Sequence, residues 1–324
     1  MCRRLFFLIA TLSIAFPGFS QFQKPVRPAA TFSIVARDSQ TGELGVGVQS
    51  HWFSVGSDVS WAEAGVGAVA TQSFIDPGYG PRGLALMKSG KPPKEALEEL
   101  LAVDESRDVR QVAFIDSQGR VAVHTGAKCI PFAGDRTGVN YSTQGNLLAS
   151  PEVWQAMGRA FEETKGDLGD RILAALQAGQ DAGGDARGRQ SAALLVVRSV
   201  SEDEPWKNRV VDLRVEDNPQ PIAELTRLYK LRKAYDLATE GDDYLAVGEF
   251  AKAAEAYDAA LAIVPDNDEL IFWRGAMLMN AGREAEAVAD IKRAISMNPR
   301  WLTLLERIQE EHFPGARKVL EQVR

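Results

Sequence analysis

TFSIVARDSQTGELGVGVQS, residues 31–50, reads as a β-hairpin and decides the fold class. Thr31–Arg37 is rich in β-branched and aromatic residues and predicts a strand. Asp38–Glu43 contains Thr41-Gly42 and predicts a turn, and Leu44–Ser50 predicts the returning strand. Gly45 and Gly47 fall on one face of that strand by its period of two, so something is expected to pack closely there. Outward from the hairpin, Val66–Ser73 predicts a third strand. Arg82–Lys88 predicts a short helix, and Pro92-Pro93 open a second one over KEALEELLA. Val112–Ile115 and Arg120–His124 flank DSQG as a second hairpin. Ser150-Pro151 is an N-cap followed by proline at the first helical position, predicting a helix through VWQAMGRAFEE. Another helix is expected over Leu168–Ala178. The glycine-rich AGGDARGRQ (182–190) precedes predicted strands at Ala192–Arg198 and Val210–Val215. Paired strands alternating with paired helices predict an α+β fold with antiparallel sheets covered by helix pairs. Two such sheets stacked face to face would make a four-layer αββα sandwich.

Towards the N-terminus, Arg3 and Arg4 precede an apolar run from Leu5 to Phe16, ended by Pro17-Gly18. Gly18 and Ser20 suit a cut before Gln21, so residues 1–20 are expected to be a secretory signal. The run is shorter than the roughly 20 residues of a spanning helix. A secreted or periplasmic protein with no membrane span after signal cleavage is the expectation. Residues 21–30, with Pro25 and Pro28, predict an irregular leader. Cys129 is then the one thiol left, so no internal disulfide is expected. The net charge is −7, and the basic residues of the first 30 positions leave the remainder more acidic still. That argues against nucleic acid as a partner.

Towards the C-terminus the composition turns to Ala, Leu, Glu and Tyr, and a period of 34 residues emerges. Gly241 matches Gly275, Ala253 matches Ala287, Tyr257 matches Ile291, Ala260 matches Ala294 and Pro265 matches Pro299. Small residues at helix crossings and a terminal proline at this period are the tetratricopeptide (TPR) pattern. The expected organisation is one β-rich domain over 31–228 and a small all-α TPR domain over 229–324. The latter would comprise repeats at about 234–267 and 268–301 and a C-terminal capping helix. TPR arrays bind proteins or peptides, so a partner of that kind is expected there.

GxxxxGK[ST], GxSxG and HExxH patterns are all missing from the sequence. His51, His124 and His312 lack metal-ligand spacing, so neither metal nor cofactor is expected. The segments TFSIVARDSQTGELGVGVQSHWFSVGS (31–57) and WAEAGVGAVATQSFIDPGYGPRGLALM (61–87), with QGNLL at 144–148 and GGDARGRQSAALLVV at 183–197, resemble the prokaryotic family DUF1028. The resemblance covers about residues 31–228. It implies the αββα architecture of the N-terminal-nucleophile (Ntn) hydrolases, but no settled chemistry. Under an Ntn mechanism Thr31 would be the nucleophile, with its own α-amine as base. An α-amine has a pKa near 7.7–8.0 and serves well near neutrality.

Around Thr31, Ser33 shares its strand face. Gln49, Ser50 and His51 end the returning strand, and Glu63 is a candidate to orient the amine. Asn146 and Ser191 are oxyanion candidates. Asp185, Arg187 and Gln190 sit in the glycine-rich loop, Arg187 suiting a substrate carboxylate. The expected function is an exported amidohydrolase acting on a small amide or peptide. The alternative is a non-catalytic protein that binds a ligand or partner on the same scaffold. The two differ in whether the bond between Ala30 and Thr31 is cut, because an uncut bond leaves the Thr31 nitrogen a peptide amide.

Overall fold

The computed structural model describes residues 27–28 and 31–324; the expected signal and most of the leader lie outside the described residues. Ten strands and eleven α-helices follow in chain order among them. They are β1 (Thr31–Arg37), β2 (Leu44–Ser50), a single turn α1 (Val55–Asp58), β3 (Ser60–Glu63), β4 (Gly67–Ser73), α2 (Tyr79–Lys88), α3 (Pro93–Val103), β5 (Arg110–Asp116), β6 (Val121–Thr125), β7 (Gly134–Gly138) and β8 (Tyr141–Asn146). Then come α4 (Val153–Glu163), α5 (Leu168–Asp181), β9 (Ser191–Val197), β10 (Arg209–Val215), α6 (Pro221–Ala246), α7 (Phe250–Ile263), α8 (Asp268–Asn280), α9 (Glu284–Met297), α10 (Arg300–Arg307) and α11 (Ala316–Val323).

The strands form two antiparallel sheets, one of six in the order β10-β9-β2-β1-β8-β7 and one of four in the order β3-β4-β5-β6. The opening hairpin is fixed by its turn. Asp38 Oδ1 accepts from the Gln40 and Thr41 amides, both at 2.8 Å, and Gly42 supplies φ +74°. β1 then alternates cleanly. Phe32, Ile34 and Ala36 pack with Met157, Phe161, Ile172 and Leu176 of α4 and α5. Val35 packs with Val46 and Val48 against Ala68, Ala70, Ala113 and Ile115 of the smaller sheet. That sheet's other face, carrying Val69, Val112 and Phe114, meets Tyr79, Leu84 and Leu97 of α2 and α3. Each sheet is thus covered outside by a helix pair and shares an apolar interior with the other. Gly45 and Gly47 do lie under a helix. A Cβ added at Gly47 would stand 2.3 Å from Ile172 Cγ2, and one at Gly45 2.7 Å from Ile172 Cδ1.

Three strands and one turn of helix go beyond the expected order: β3, α1, β7 and β8. β7 (GDRTG) and β8 (YSTQGN) carry too few apolar residues to read as strands. The expected division at residue 228 also falls inside a helix. α6 runs unbroken across it, giving Ile222, Leu225 and Tyr229 to the core beneath α5 and Ala234 and Ala238 to the core of the C-terminal helices. Lys233 fastens α6 to Asp167 and Asp170 at 2.8 and 2.9 Å. In the helical C-terminal region the matched glycines sit at equivalent crossings. Gly241 abuts Tyr257 and Gly275 abuts Ile291, each leaving 2.8 Å for a Cβ. The single capping helix expected after Trp301 is two helices, α10 and α11. α10 stops where Ile308 turns extended, and Gly315 caps the start of α11 at φ +87°. Among the described residues no helix is long and apolar enough to cross a membrane.

Candidate functional site

The hairpin register sets the site. Thr31 pairs with Ser50 on one side and with Asn146 on the other, and Ser50 pairs with Ser191. Directly opposed residues on neighbouring strands share a sheet face. Asn146, Thr31, Ser50 and Ser191 therefore form one row across β8, β1, β2 and β9, on the face turned to the smaller sheet. Further along the same face the row gives way to Val35 on β1, to Val48 and Val46 on β2 and to Ala193 and Leu195 on β9, while β8 stays polar, and all four residues of the row are fully buried.

Beneath this row lies a network of amides. Ser33 Oγ donates to Gln72 Oε1 at 2.7 Å and accepts from Gln144 Nε2 at 2.6 Å. Gln72 Nε2 donates to the Thr31 carbonyl at 3.3 Å and to Gln111 Oε1 at 2.8 Å. Gln111 reaches across the sheets to the Gly145 carbonyl at 2.8 Å, and its Oε1 also accepts from Asn146 Nδ2 at 3.0 Å. Buried polar groups are held in networks of this kind because each unmade bond is expensive. One group in the row stays unsatisfied: Asn146 Oδ1 is buried with no hydrogen-bond partner. It is an acceptor waiting for a donor beside Thr31.

The glycine-rich loop closes one side. Gly183, Gly184 and Gly188 adopt positive φ, which lets the loop bridge back to Leu147–Ala149 after β8; Leu148 and Asp185 form an isolated β-bridge. The buried Asp185 carboxylate accepts from the His51 and Arg187 amides at 2.8 and 2.9 Å. It also pairs with the Arg187 guanidinium at 3.0 Å. Arg187 Nη2 lies 3.4 Å from Ser50 Oγ, and Nη1 donates to the Pro28 carbonyl at 3.1 Å.

Of the residues expected from sequence, Thr31, Ser33, Ser50, Asn146, Ser191, Asp185, Arg187 and His51 are brought together. Their roles differ from the expectation in places. Ser191 Oγ donates to the Trp52 carbonyl and accepts from the Val55 amide, so it fastens α1 to β9. Asn146 Nδ2 is already engaged with Gln111, which leaves its oxygen, rather than an oxyanion donor, facing the site chemistry. Glu63 does not join the site. It ends β3 and pairs with Lys88 at 2.6 Å on the surface. Gln49 opposes Phe32 and Ala192, so alternation puts it on the helix-covered face, away from Thr31. Gln190 is half-buried and reaches Asp217 at 3.3 Å. Gln72, Gln111 and Trp52 went unread in the sequence. The available signal was Gln72 and Gln111 standing at the ends of the apolar stretches of β4 and β5. Among the described residues no group of three or more His, Cys, Asp or Glu side chains could hold a metal ion.

The sequence model of DUF1028, a family of unknown function, matches residues 31–225. The chain belongs to DUF1028. A crystal structure of a DUF1028 protein from Silicibacter pomeroyi is 32% identical, covers 62% of this chain and 85% of its own, and superposes with a TM-score of 0.57. Comparison with curated proteins gave no match. The DUF1028 segment holds the whole row and ends inside α6, so the helices that follow are an addition to it.

Proposed function

We propose that this protein is an exported amidohydrolase of the N-terminal-nucleophile type, with Thr31 as nucleophile and a C-terminal pair of TPR repeats for a protein or peptide partner. One observation carries the reading. Thr31, the first residue of β1, shares a buried row with Ser50, Asn146 and Ser191 over a fixed amide network between two helix-covered sheets. The helix–sheet–sheet–helix layering supports an αββα sandwich of the Ntn kind. The 34-residue period, with Gly241 on Tyr257 and Gly275 on Ile291, supports the TPR assignment. The N-terminal sequence alone supports export.

The reaction needs a free Thr31 amine, so the bond from Ala30 must first be cut. In self-processing, Thr31 Oγ adds to the Ala30 carbonyl carbon and the bond to the Thr31 nitrogen breaks. The nitrogen takes up the hydroxyl proton, and water then hydrolyses the ester to an Ala30 carboxylate and a restored hydroxyl. On a substrate amide the freed amine accepts the Oγ proton, and the same acyl-ester is formed and hydrolysed. Asn146 Oδ1 is the acceptor that orients the amine by taking one of its N–H bonds. Gln72, held by Ser33 and Gln111, fixes the Thr31 main chain.

The test is the N-terminus of the exported protein, read by intact mass and N-terminal sequencing, together with turnover on an amide library. A chain beginning at Thr31 that loses turnover in Thr31→Ser less than in Thr31→Ala supports the reading. A folded chain that always keeps residues ahead of Thr31, and turns nothing over, rejects catalysis and leaves a binding protein.

A further inference from the structure

Two described residues of the leader lie against the site. The Arg27 guanidinium carbon stands 5.5 Å from the centroid of the Trp52 ring, and the Pro28 carbonyl accepts from Arg187 Nη1 at 3.1 Å. Neither residue belongs to any of the four apolar cores. Pro28 disfavours the helical region for Arg27, which lies in a bend. We propose that Trp52 and Arg187 form a subsite for a peptide on the acyl side of the bond to be cut, and that Arg27–Pro28 is its intramolecular occupant.

The chemistry of the two walls selects the ligand. Trp52 offers an aromatic face, which attracts a cation. Arg187 is already compensated by Asp185, whose carboxylate is fully buried. A second carboxylate there would face Asp185, whereas a neutral main-chain carbonyl takes the outward N–H without that repulsion. The sequence expectation of a carboxylate on Arg187 is replaced by a peptide carbonyl. The ligand is therefore a peptide with a basic side chain followed directly by a residue whose carbonyl is accessible. In the leader this basic residue is the fourth before Thr31. Calling this ligand a substrate rests on the Ntn reading; its binding does not.

The test uses the chain beginning at Thr31. All strands and helices and all four cores of the described residues lie in it, so its fold does not need the leader. A fluorescein-labelled QFQKPVRPAA peptide is titrated and followed by anisotropy. Saturable binding is expected. Arg27→Ala in the peptide should weaken it about two- to fivefold, the range of an exposed cation–π contact. Lys24→Ala in the peptide makes the same change in net charge and should leave affinity unchanged. Trp52→Leu in the protein keeps an apolar side chain against the inter-sheet core. It should weaken the parent peptide by the same factor and abolish discrimination against Arg27→Ala. No saturable binding, or equal losses for Lys24→Ala and Arg27→Ala, overturns the subsite. If the peptide binds as expected while no amide is hydrolysed, the catalytic reading fails and the subsite stands. If amides are hydrolysed while the peptide is ignored, the subsite fails and the catalytic reading stands.

Discussion

Gly47→Ala tests why the returning strand of the first hairpin is glycine-rich. The added Cβ would stand 2.3 Å from Ile172 Cγ2 and 3.2 Å from Leu176 Cδ1. Carbon atoms sit comfortably at about 3.5–4.0 Å, so α5 must retreat from β2 by roughly 1.2 Å or more, or Ile172 must leave its rotamer. Neither is easy. Ile172 and Leu176 are fully buried against Phe32 and Ile34, and alternative rotamers meet the same core. Overpacking of this kind costs about 1–3 kcal/mol. Relief of glycine's chain entropy returns about 0.5–1 kcal/mol, and the middle of the two ranges leaves a net loss of about 1 kcal/mol. Urea denaturation at pH 7 measures it. Ile172→Ala alone should cost about 2–5 kcal/mol for its cavity. In the double variant the new methyl enters that cavity, so the two losses should fall short of additivity by at least about 1 kcal/mol. A Gly47→Ala chain as stable as the parent, or strict additivity in the cycle, would refute the claim that this glycine exists to admit α5.

Three further outcomes follow from particular contacts. Asp104 lies buried against Arg110 at 2.7 Å. Burial alone would raise its pKa, but the hydrogen bonds from Arg110 and the Ser106 amide outweigh it and hold the carboxyl below its ordinary value. Its stabilisation is complete above the unfolded pKa of about 3.9 and is lost as pH falls through the lower folded value. The urea midpoint should therefore fall more steeply with acid in the parent than in Asp104→Asn, a variant that strands buried Arg110 and loses about 3–5 kcal/mol at pH 7. Gln111→Leu leaves Asn146 Nδ2 and the Gly145 carbonyl without their partner. At about 1–3 kcal/mol for each stranded group, it should lower the urea midpoint clearly; a midpoint equal to the parent's would show the network to be incidental. Gly275→Val forces a side chain between Ile291 and the Ala287 carbonyl, at 2.8 and 3.1 Å. Hydrogen exchange should show α8 and α9 losing protection while β1 and β2 keep theirs.

What the sequence made legible follows from where its residues answer to local rules. The first hairpin was readable because Asp38 and Gly42 fix the turn and Phe32, Ile34 and Val35 alternate. The helices α3, α4 and α5 were readable from apolar spacing, and the 34-residue period from repeated small residues. β8 was not, because Ser142, Gln144 and Asn146 occupy the face that an ordinary strand would make apolar. The same feature hid a strand and built the site. The misplaced residues have a common cause. Gln49 and Glu63 lie close in sequence to strand ends, and one step along a strand reverses the face. Gln49 is one residue from Ser50 and on the other side of the sheet.

The row also explains why a site on this fold resists recognition by motif. Thr31, Ser50, Asn146 and Ser191 come from four strands, and Gln72 and Gln111 from the opposite sheet. The spacing between them along the chain is set by the connections and not by the chemistry. What is constrained is register. Thr31 meets Ser50 because the six-residue turn Asp38–Glu43 brings β2 back in step with β1, and it meets Asn146 because β8 enters the sheet antiparallel on the other side. A shift of β2 by one residue could set Gln49 in place of Ser50 opposite Thr31, and a shift of β8 could set Gly145 in place of Asn146. The buried acceptor on Asn146 would then have no place beside Thr31. Register, held by the Asp38 turn and by the amide network below Thr31, is therefore the structural basis of the candidate chemistry. Variants that loosen it should impair the site before they unfold the sandwich.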